Sequence, residues 1–259
     1  MSSEGDAARL QLPPLYAILD IDCLRERLQS GRSPEPGRMD ETGISLSPSL
    51  SLNPALATDN PDATAAIEAA PESELLAAVL DFAAQLQAGG VRWLQYRAKR
   101  LPARNTCAHA WALRQAFPGL KLIMNDRADL CLAADFDGVH VGQEDLWPEA
   151  VRGLIGSRIV GVSTHNPEQV AEAAASPADY VAIGPVFSTG SKLNPDPVVG
   201  LEGVRRARQL TAKPLVAIGG ITLENCREVR AAGADSVAII SALLDRPRES
   251  AERLLRALA

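Results

Sequence analysis

The run KLIMNDRADLCLAADFDGVHVG, residues 121–142, holds a complete strand–helix–strand unit. Residues 121–125 and 138–142 are short and mainly apolar, and 127–134 carries a helical pattern between them. Continuous apolar strands fit a parallel sheet covered by helices, because both faces of such strands are buried. Outward from this unit the alternation repeats. Strands are predicted at 15–20, 91–97, 121–125, 138–142, 158–162, 179–184, 214–218 and 235–239. Helices are predicted near 73–88, 102–116, 127–134, 144–152, 166–175, 200–210, 222–232 and 247–258. Asn166 before Pro167, and Thr222 with Asn225, are helix-start signals. AGGV at 88–91 and AAGAD at 231–235 put glycine where a helix must stop before a strand.

Eight strand–helix units in one chain are the arithmetic of an α/β fold of the (β/α)8 TIM-barrel type. A doubly wound open sheet is the alternative, but no GxGxxG follows the first strand. Beyond the βα alternation the sequence displays no evident internal repeat. One stretch breaks the rhythm. Residues 30–72 hold no aromatic residue, six of the 18 prolines and six serines. Such a stretch buries too little apolar surface to offset its ordering entropy. The expectation is one barrel domain over 1–259, with 30–72 a disordered or loosely packed insertion after the first strand.

With 259 residues, 46% of them hydrophobic, the chain can build one large core. Lys and Arg total 26 against 32 Asp and Glu, a formal net charge of −6. A mildly acidic chain without a basic cluster argues against nucleic acid or an anionic membrane as partner. Small-molecule substrates and further copies of the chain are the expected partners, and residues 30–72 could also serve as a partner-binding or regulatory loop. No apolar run approaches the roughly 18–20 residues of a spanning helix. The opening MSSEGDAARLQLPP lacks the apolar core of a signal peptide, which points to the cytoplasm. Cys23, Cys107, Cys131 and Cys226 are scattered without a CxxC, so reduced thiols are expected rather than zinc or disulfides. Lysine is scarce: Lys99, Lys121, Lys192 and Lys213 are the only ones, so the place of each carries information.

In such barrels the chemistry gathers at the C-terminal ends of the strands. Strand two ends Gln95-Tyr96-Arg97-Ala98-Lys99, and alternate residues of an extended chain share a face. Gln95, Arg97 and Lys99 then form a ladder of donors suited to a polyphosphate, although a solvated strand end with a salt bridge would read the same way. Asp126 and Asp145 each lie just past a strand, on adjacent units. Either alone could be a helix cap; together they suit Mg²⁺, which shares oxygen ligands between carboxylates and substrate phosphates. His140 lies inside strand four, where a satisfied core histidine is the ordinary reading. Ser163 at the end of strand five could donate to a bound ring or phosphate, or simply cap a turn.

Strand six opens the loop Gly184-Pro185-Val186-Phe187-Ser188-Thr189-Gly190-Ser191-Lys192, which reads as a flap over anionic oxygens. It lacks the spacing of a nucleotide P-loop. Gly219-Gly220 after strand seven and Ile240-Ser241 after strand eight stand where barrels usually bind a monophosphate. The residues therefore describe a Mg²⁺-dependent barrel enzyme with a diphosphate site and a monophosphate site. No Ser-His-Asp order or nucleophile elbow suggests acyl chemistry.

QYRAK (95–99), NDR (125–127), DGVHVGQED (137–145), GVSTH (161–165), GPVFSTGSK (184–192), AIGGIT (217–222) and AIISALL (238–244) follow one another in the order of the thiamine-phosphate synthase family. The chain resembles that family throughout, except in its first dozen residues and the insertion. The resemblance implies that Gln95, Arg97, Lys99 and Asn125 hold a pyrimidine diphosphate, with Ser163 near the pyrimidine and Lys192 reaching the diphosphate from the flap. It implies that Asp126 and Asp145 bind Mg²⁺. Thr189, Ser191, Gly219, Gly220, Ile240 and Ser241 would bind a thiazole phosphate. The implied reaction joins hydroxymethylpyrimidine diphosphate to hydroxyethylthiazole phosphate and releases diphosphate, by a dissociative substitution in which Arg97, Lys99, Ser163 and Lys192 are catalytic. Ser191 stands where the family commonly has Thr, and LYAILDID replaces the usual Tyr-x-Val-Thr-Asp opening, which leaves the role of Asp20 open. The related thiazole tautomerase, an isomerase on the same barrel, is the alternative; it needs neither the donor ladder nor the carboxylate pair. A binding protein that keeps the fold without turnover is the other.

Overall fold

The structure, a computed structural model, describes residues 10–29, 63–189 and 196–259. Eight parallel strands close into a barrel in sequence order: β1 (Leu15–Asp20), β2 (Trp93–Arg97), β3 (Lys121–Asn125), β4 (Gly138–Val141), β5 (Ile159–Thr164), β6 (Tyr180–Ile183), β7 (Leu215–Ile218) and β8 (Ser236–Ile239). Around them lie α1 (Ile21–Gln29), α2 (Ala63–Ala88), α3 (Ala103–Ala116), α4 (Ala128–Ala133), α5 (Pro148–Ile155), α6 (Pro167–Ala175), α7 (Gly200–Leu210), α8 (Cys226–Ala231) and α9 (Pro247–Leu258), with a 3₁₀ turn at Ser241–Leu243. This is the (β/α)8 TIM barrel.

Every strand falls within two residues of its expected bounds, because apolar runs are read directly from composition. The helices differ more. α1 follows β1 immediately and was not foreseen, since IDCLRERLQ buries only Ile21 and Leu24. α2 starts at Ala63, ten residues ahead of the expected 73, so the helix reaches into the segment read as an insertion. The rest of that segment, 30–62, lies outside the described residues. Asn166 caps α6, its side chain accepting from the Gln169 N–H. At the other start signal, Asn225 accepts from the Thr222 N–H and the helix begins only at Cys226. Gly90 and Gly233 sit at φ +94° and +115°, in the left-handed region that ends α2 and follows α8.

The register sorts side chains into two shells. Paired residues share a face, so Tyr16, Trp93, Ile123, Tyr180, Val216 and Ala238 fill the barrel interior as one cluster. The outward residues, among them Leu15, Leu94, Leu122, Val139, Val160, Val181 and Leu215, pack against the helices in a larger one. Following the inward series up each strand shows where polarity enters. It runs Tyr16, Ile18, Asp20 on β1; Trp93, Gln95, Arg97 on β2; and Ile123, Asn125 on β3. It continues as Gly138, His140 on β4 and Ile159, Gly161, Ser163 on β5. On β6 to β8 the same rows remain mostly apolar. Polar tops are thus concentrated on five consecutive strands.

At the opposite end a three-fold repetition appears that the sequence reading did not detect. Asp137, Asp179 and Asp235 precede β4, β6 and β8. Each carboxylate accepts the backbone N–H of the neighbouring odd strand: Leu122 at 2.9 Å, Val160 at 2.7 Å and Leu215 at 2.8 Å. Each is paired with an arginine from the last turn of the preceding odd-numbered helix, Arg114, Arg152 and Arg208, at 2.5, 2.6 and 2.7 Å. The arginines also donate to carbonyls near the ends of their own helices. One side-chain pair therefore ties helix, odd strand and even strand together three times.

Candidate active site

The polar strand tops meet at the C-terminal mouth. Asp20, nearly fully buried, forms a salt bridge with the Arg97 guanidinium across the β1–β2 pair, and its other oxygen accepts the Cys23 N–H at 3.1 Å. That gives Asp20 a role its sequence left open. It holds Arg97 in place and offsets part of its charge. Gln95, also buried, donates to the Asn125 side-chain oxygen at 3.3 Å across the β2–β3 pair. Gln95 and Arg97 share the inward face of β2 as expected. Lys99 lies beyond the strand and pairs with Asp126.

Asp126 sits at φ +63°, a conformation that Asp tolerates better than most residues. Its N–H donates to the His140 carbonyl at 2.8 Å, which fastens the end of β3 to β4. Its carboxyl is within hydrogen-bond contact of Asp145, and burial together with that neighbour pushes its pKa up to about 6, against the pull of Lys99. Asp145 is held by the Gly142 N–H, which donates to its carboxylate at 2.8 Å. The two aspartates picked out by position thus converge. Among the described residues no three His, Cys, Asp or Glu side chains gather as a metal cage.

His140 is 9% exposed and fully hydrogen bonded, Nδ1 to the Tyr180 hydroxyl at 2.9 Å and Nε2 to Ser163 Oγ at 2.8 Å. Burial lowers its pKa to about 4, so the ring is neutral. Gln143 donates to the Ser163 carbonyl at 2.6 Å and holds the same strand end. Tyr16, Tyr180 and Gln143 were not singled out in the sequence; the parity of Tyr16 and Tyr180 with the inward rows was the available signal.

On the far side of the mouth two loops lean on each other. Gly184–Pro185 is a cis peptide bond. A Cβ on Gly219 would lie 2.6 Å from Pro185 Cα, and one on Gly220 would lie 2.6 Å from the Ser188 carbonyl oxygen. Both glycines also have positive φ, +101° and +63°, so this contact between loops alone requires them. Thr189 follows Ser188 in the first of these loops, and after β8 a 3₁₀ turn begins at Ser241, next to Ile240. Gly190, Ser191 and Lys192 lie outside the described residues. His165 donates through Nδ1 to the Gly184 carbonyl at 2.6 Å and faces Asp196 at 3.5 Å. The start of the loop is thereby tied to the end of β5.

A family model described as thiamine monophosphate synthase matches residues 68–243. The thiamine-phosphate synthase of Koribacter versatilis is 47% identical over 254 residues, 97% of this chain and 99% of that protein. A match of that extent takes in the 30–62 segment. The thiamine-phosphate synthase of Chloroflexus aurantiacus is 43% identical over 66% of this chain and 80% of its own. Among solved structures, a thiamine phosphate pyrophosphorylase from Pyrococcus furiosus superposes with TM-score 0.65 and 34% identity, covering 69% of this chain and 88% of that one.

Proposed function

Because this chain belongs to the thiamine monophosphate synthase family, and is a transferase that makes thiamine phosphate, we propose a division of labour for its barrel mouth. The polar tops of β1 to β5 bind the pyrimidine diphosphate, and the glycine-bearing loops after β6 and β7, with the Ile240–Ser241 turn after β8, bind the thiazole phosphate. One observation carries this reading: Arg97, Lys99, Gln95, Asn125, Asp126 and Asp145 converge on adjoining strand ends. An isomerase acting on a thiazole phosphate has no use for that concentration of charge.

Arg97 and Lys99 would stabilise the charge that gathers on the departing diphosphate as the C–O bond breaks. Asp20 would hold Arg97 in the required orientation. Gln95 and Asn125 would hold the ring and diphosphate so that the breaking bond faces the thiazole nitrogen. Ser163 would bond the pyrimidine. Gly219, Gly220, Ile240 and Ser241 would offer backbone N–H groups to the thiazole phosphate, with Thr189 and Ser191 adding hydroxyls. Lys192 would reach the diphosphate from the flap, whose closure keeps water from the electron-poor carbon. No protein nucleophile is required.

The mouth suits Mg²⁺. Asp126 and Asp145 are hard oxygen donors crowded closely enough to raise a carboxyl pKa, and a divalent cation would relieve that crowding. Mg²⁺ needs only one or two carboxylates when substrate phosphates supply the rest. When bound, it would neutralise charge on the leaving diphosphate. Among the described residues no helix is long and apolar enough to cross a membrane. The substrates of this reading are small and charged, and the proposal places the reaction in the cytoplasm.

Purified protein mixed with both substrates should yield thiamine phosphate and diphosphate in equal amounts, and chelation of Mg²⁺ should abolish both. Turnover that persists undiminished under chelation sinks the metal assignment.

A further inference from the structure

Beneath the Ser163 hydroxyl a line of hydrogen bonds descends into the barrel. Ser163 Oγ meets His140 Nε2 at 2.8 Å, His140 Nδ1 meets the Tyr180 hydroxyl at 2.9 Å, and that hydroxyl meets the Tyr16 hydroxyl at 2.9 Å. A missing side chain makes room for it. Gly161 is paired with His140 on one side and Tyr180 on the other. A Cβ there would lie 2.0 Å from the Tyr180 ring. The ring crosses β5 over that gap and stacks on His140, with centroids 5.6 Å apart and planes at 23°. Trp93 stands edge-on to both tyrosines at 5.7 and 6.3 Å and walls in the line.

The protons in this line run one way. Tyr16 is buried, and among the described residues its hydroxyl is bonded to the Tyr180 oxygen. Tyr16 therefore donates to Tyr180. The Tyr180 proton then points at His140 Nδ1, which must present a lone pair. A neutral imidazole that accepts at Nδ1 carries its hydrogen on Nε2, and that hydrogen goes to Ser163 Oγ. The reverse order would strand the Tyr16 proton in an apolar interior without an acceptor. With its oxygen already receiving a hydrogen bond, Ser163 has its own proton available for whatever enters the mouth.

We propose that Tyr180, directed by Tyr16, is a positioning residue that acts through His140 to make Ser163 a donor, and so selects a ring-nitrogen acceptor of the pyrimidine over its exocyclic amino group. The inference rests on the reading that the pyrimidine lies at Ser163. The line is made of protein groups alone, so the donor needs no ligand to orient it. Nothing is transferred along it.

Two readouts test this. In the substrate-free protein, ¹⁵N NMR of the imidazoles should show His140 as the Nε2–H tautomer, and Tyr180→Phe should shift it toward a mixture. A wild-type His140 protonated on Nδ1 overturns the relay. In the assay, Tyr180→Phe should raise KM for the pyrimidine diphosphate about tenfold, the size of one hydrogen bond. KM for the thiazole phosphate should stay within about twofold. Tyr16→Phe, which keeps Tyr180 on Nδ1 but removes the source of direction, should fall between wild type and Tyr180→Phe, and it carries the test if the latter folds poorly. Adding Ser163→Ala to either variant should cost less than in the wild type, since both changes act on one bond. Equal effects on the two KM values, or full additivity, would falsify the selection role. If no thiamine phosphate forms at all, the functional reading fails, and the tautomer still decides the relay.

Discussion

Asp126 is held from three directions: Lys99 favours its ionised form, Asp145 opposes it, and burial opposes it more. Its pKa of about 6 lies above the ordinary 3.8. The stability this group contributes is therefore full below pH 3.8 and is lost as pH rises through 6. Asp126→Asn, which keeps a residue tolerant of positive φ, should be more stable than the parent at pH 8 by about 1–2 kcal/mol. The same change should lower kcat by roughly a hundredfold or more. Urea unfolding and steady-state turnover measure the two effects; a stable, fully active variant refutes the role. His140 has the opposite sign. Its pKa falls from 6.5 to about 4, so its contribution is complete above pH 6.5 and is lost as pH drops toward 4. The parent should lose up to about 3 kcal/mol from this source. Because Asp126 offsets part of it, the test is the difference between parent and His140→Asn at pH 4.5 and 7.5. A pH-independent difference would exclude the assignment.

At the scale of elements, the Asp–Arg ties under β4, β6 and β8 explain how short strands of four residues stay in register. Each aspartate satisfies a strand N–H at the rim, and each arginine satisfies carbonyls where its helix ends. Asp137→Ala removes the acceptor for the Leu122 N–H, Arg114 and Lys121 together. It should destabilise the barrel by about 2 kcal/mol and leave kcat unchanged, since it lies at the end away from the mouth. Thermal unfolding beside turnover checks this, and a loss of activity without a loss of stability contradicts it. The repetition was written in the chain as Arg-to-Asp separations of 23, 27 and 27 residues. It passed unread because a charged pair carries no periodic apolar signal. α1 escaped for a related reason, having only two buried residues in nine.

For the molecule as a whole, the polar groups on five strand tops and the glycine-bearing loops after β6 and β7 divide the mouth into two halves. The 30–62 segment follows α1 in the chain. Its poverty in apolar and aromatic residues leaves the earlier expectation standing as a proposal: the barrel does not depend on it. The deletion that tests this must spare 63–72, because α2 begins at Ala63 and Glu72 meets His109 at 3.0 Å. Replacing 31–61 by a short Gly/Ser linker should shift Tm by no more than a few degrees, and a collapse of stability would mean that the segment packs.

Composition and periodicity were enough for the barrel and its eight strands, and the ordered motifs for the family; place in the chain picked out Gln95, Arg97, Asn125, Asp126 and Asp145 at neighbouring strand ends. Apolar runs and glycine stops act locally, and strand ends of one barrel must share a face. Only the tertiary structure decided who bonds whom. Asp20 on Arg97, Tyr180 across Gly161 to His140, and Asp137 on Arg114 join residues 77, 40 and 23 positions apart. Such pairs depend on strand register and on the space a missing side chain leaves, and neither is a property of any single stretch of sequence.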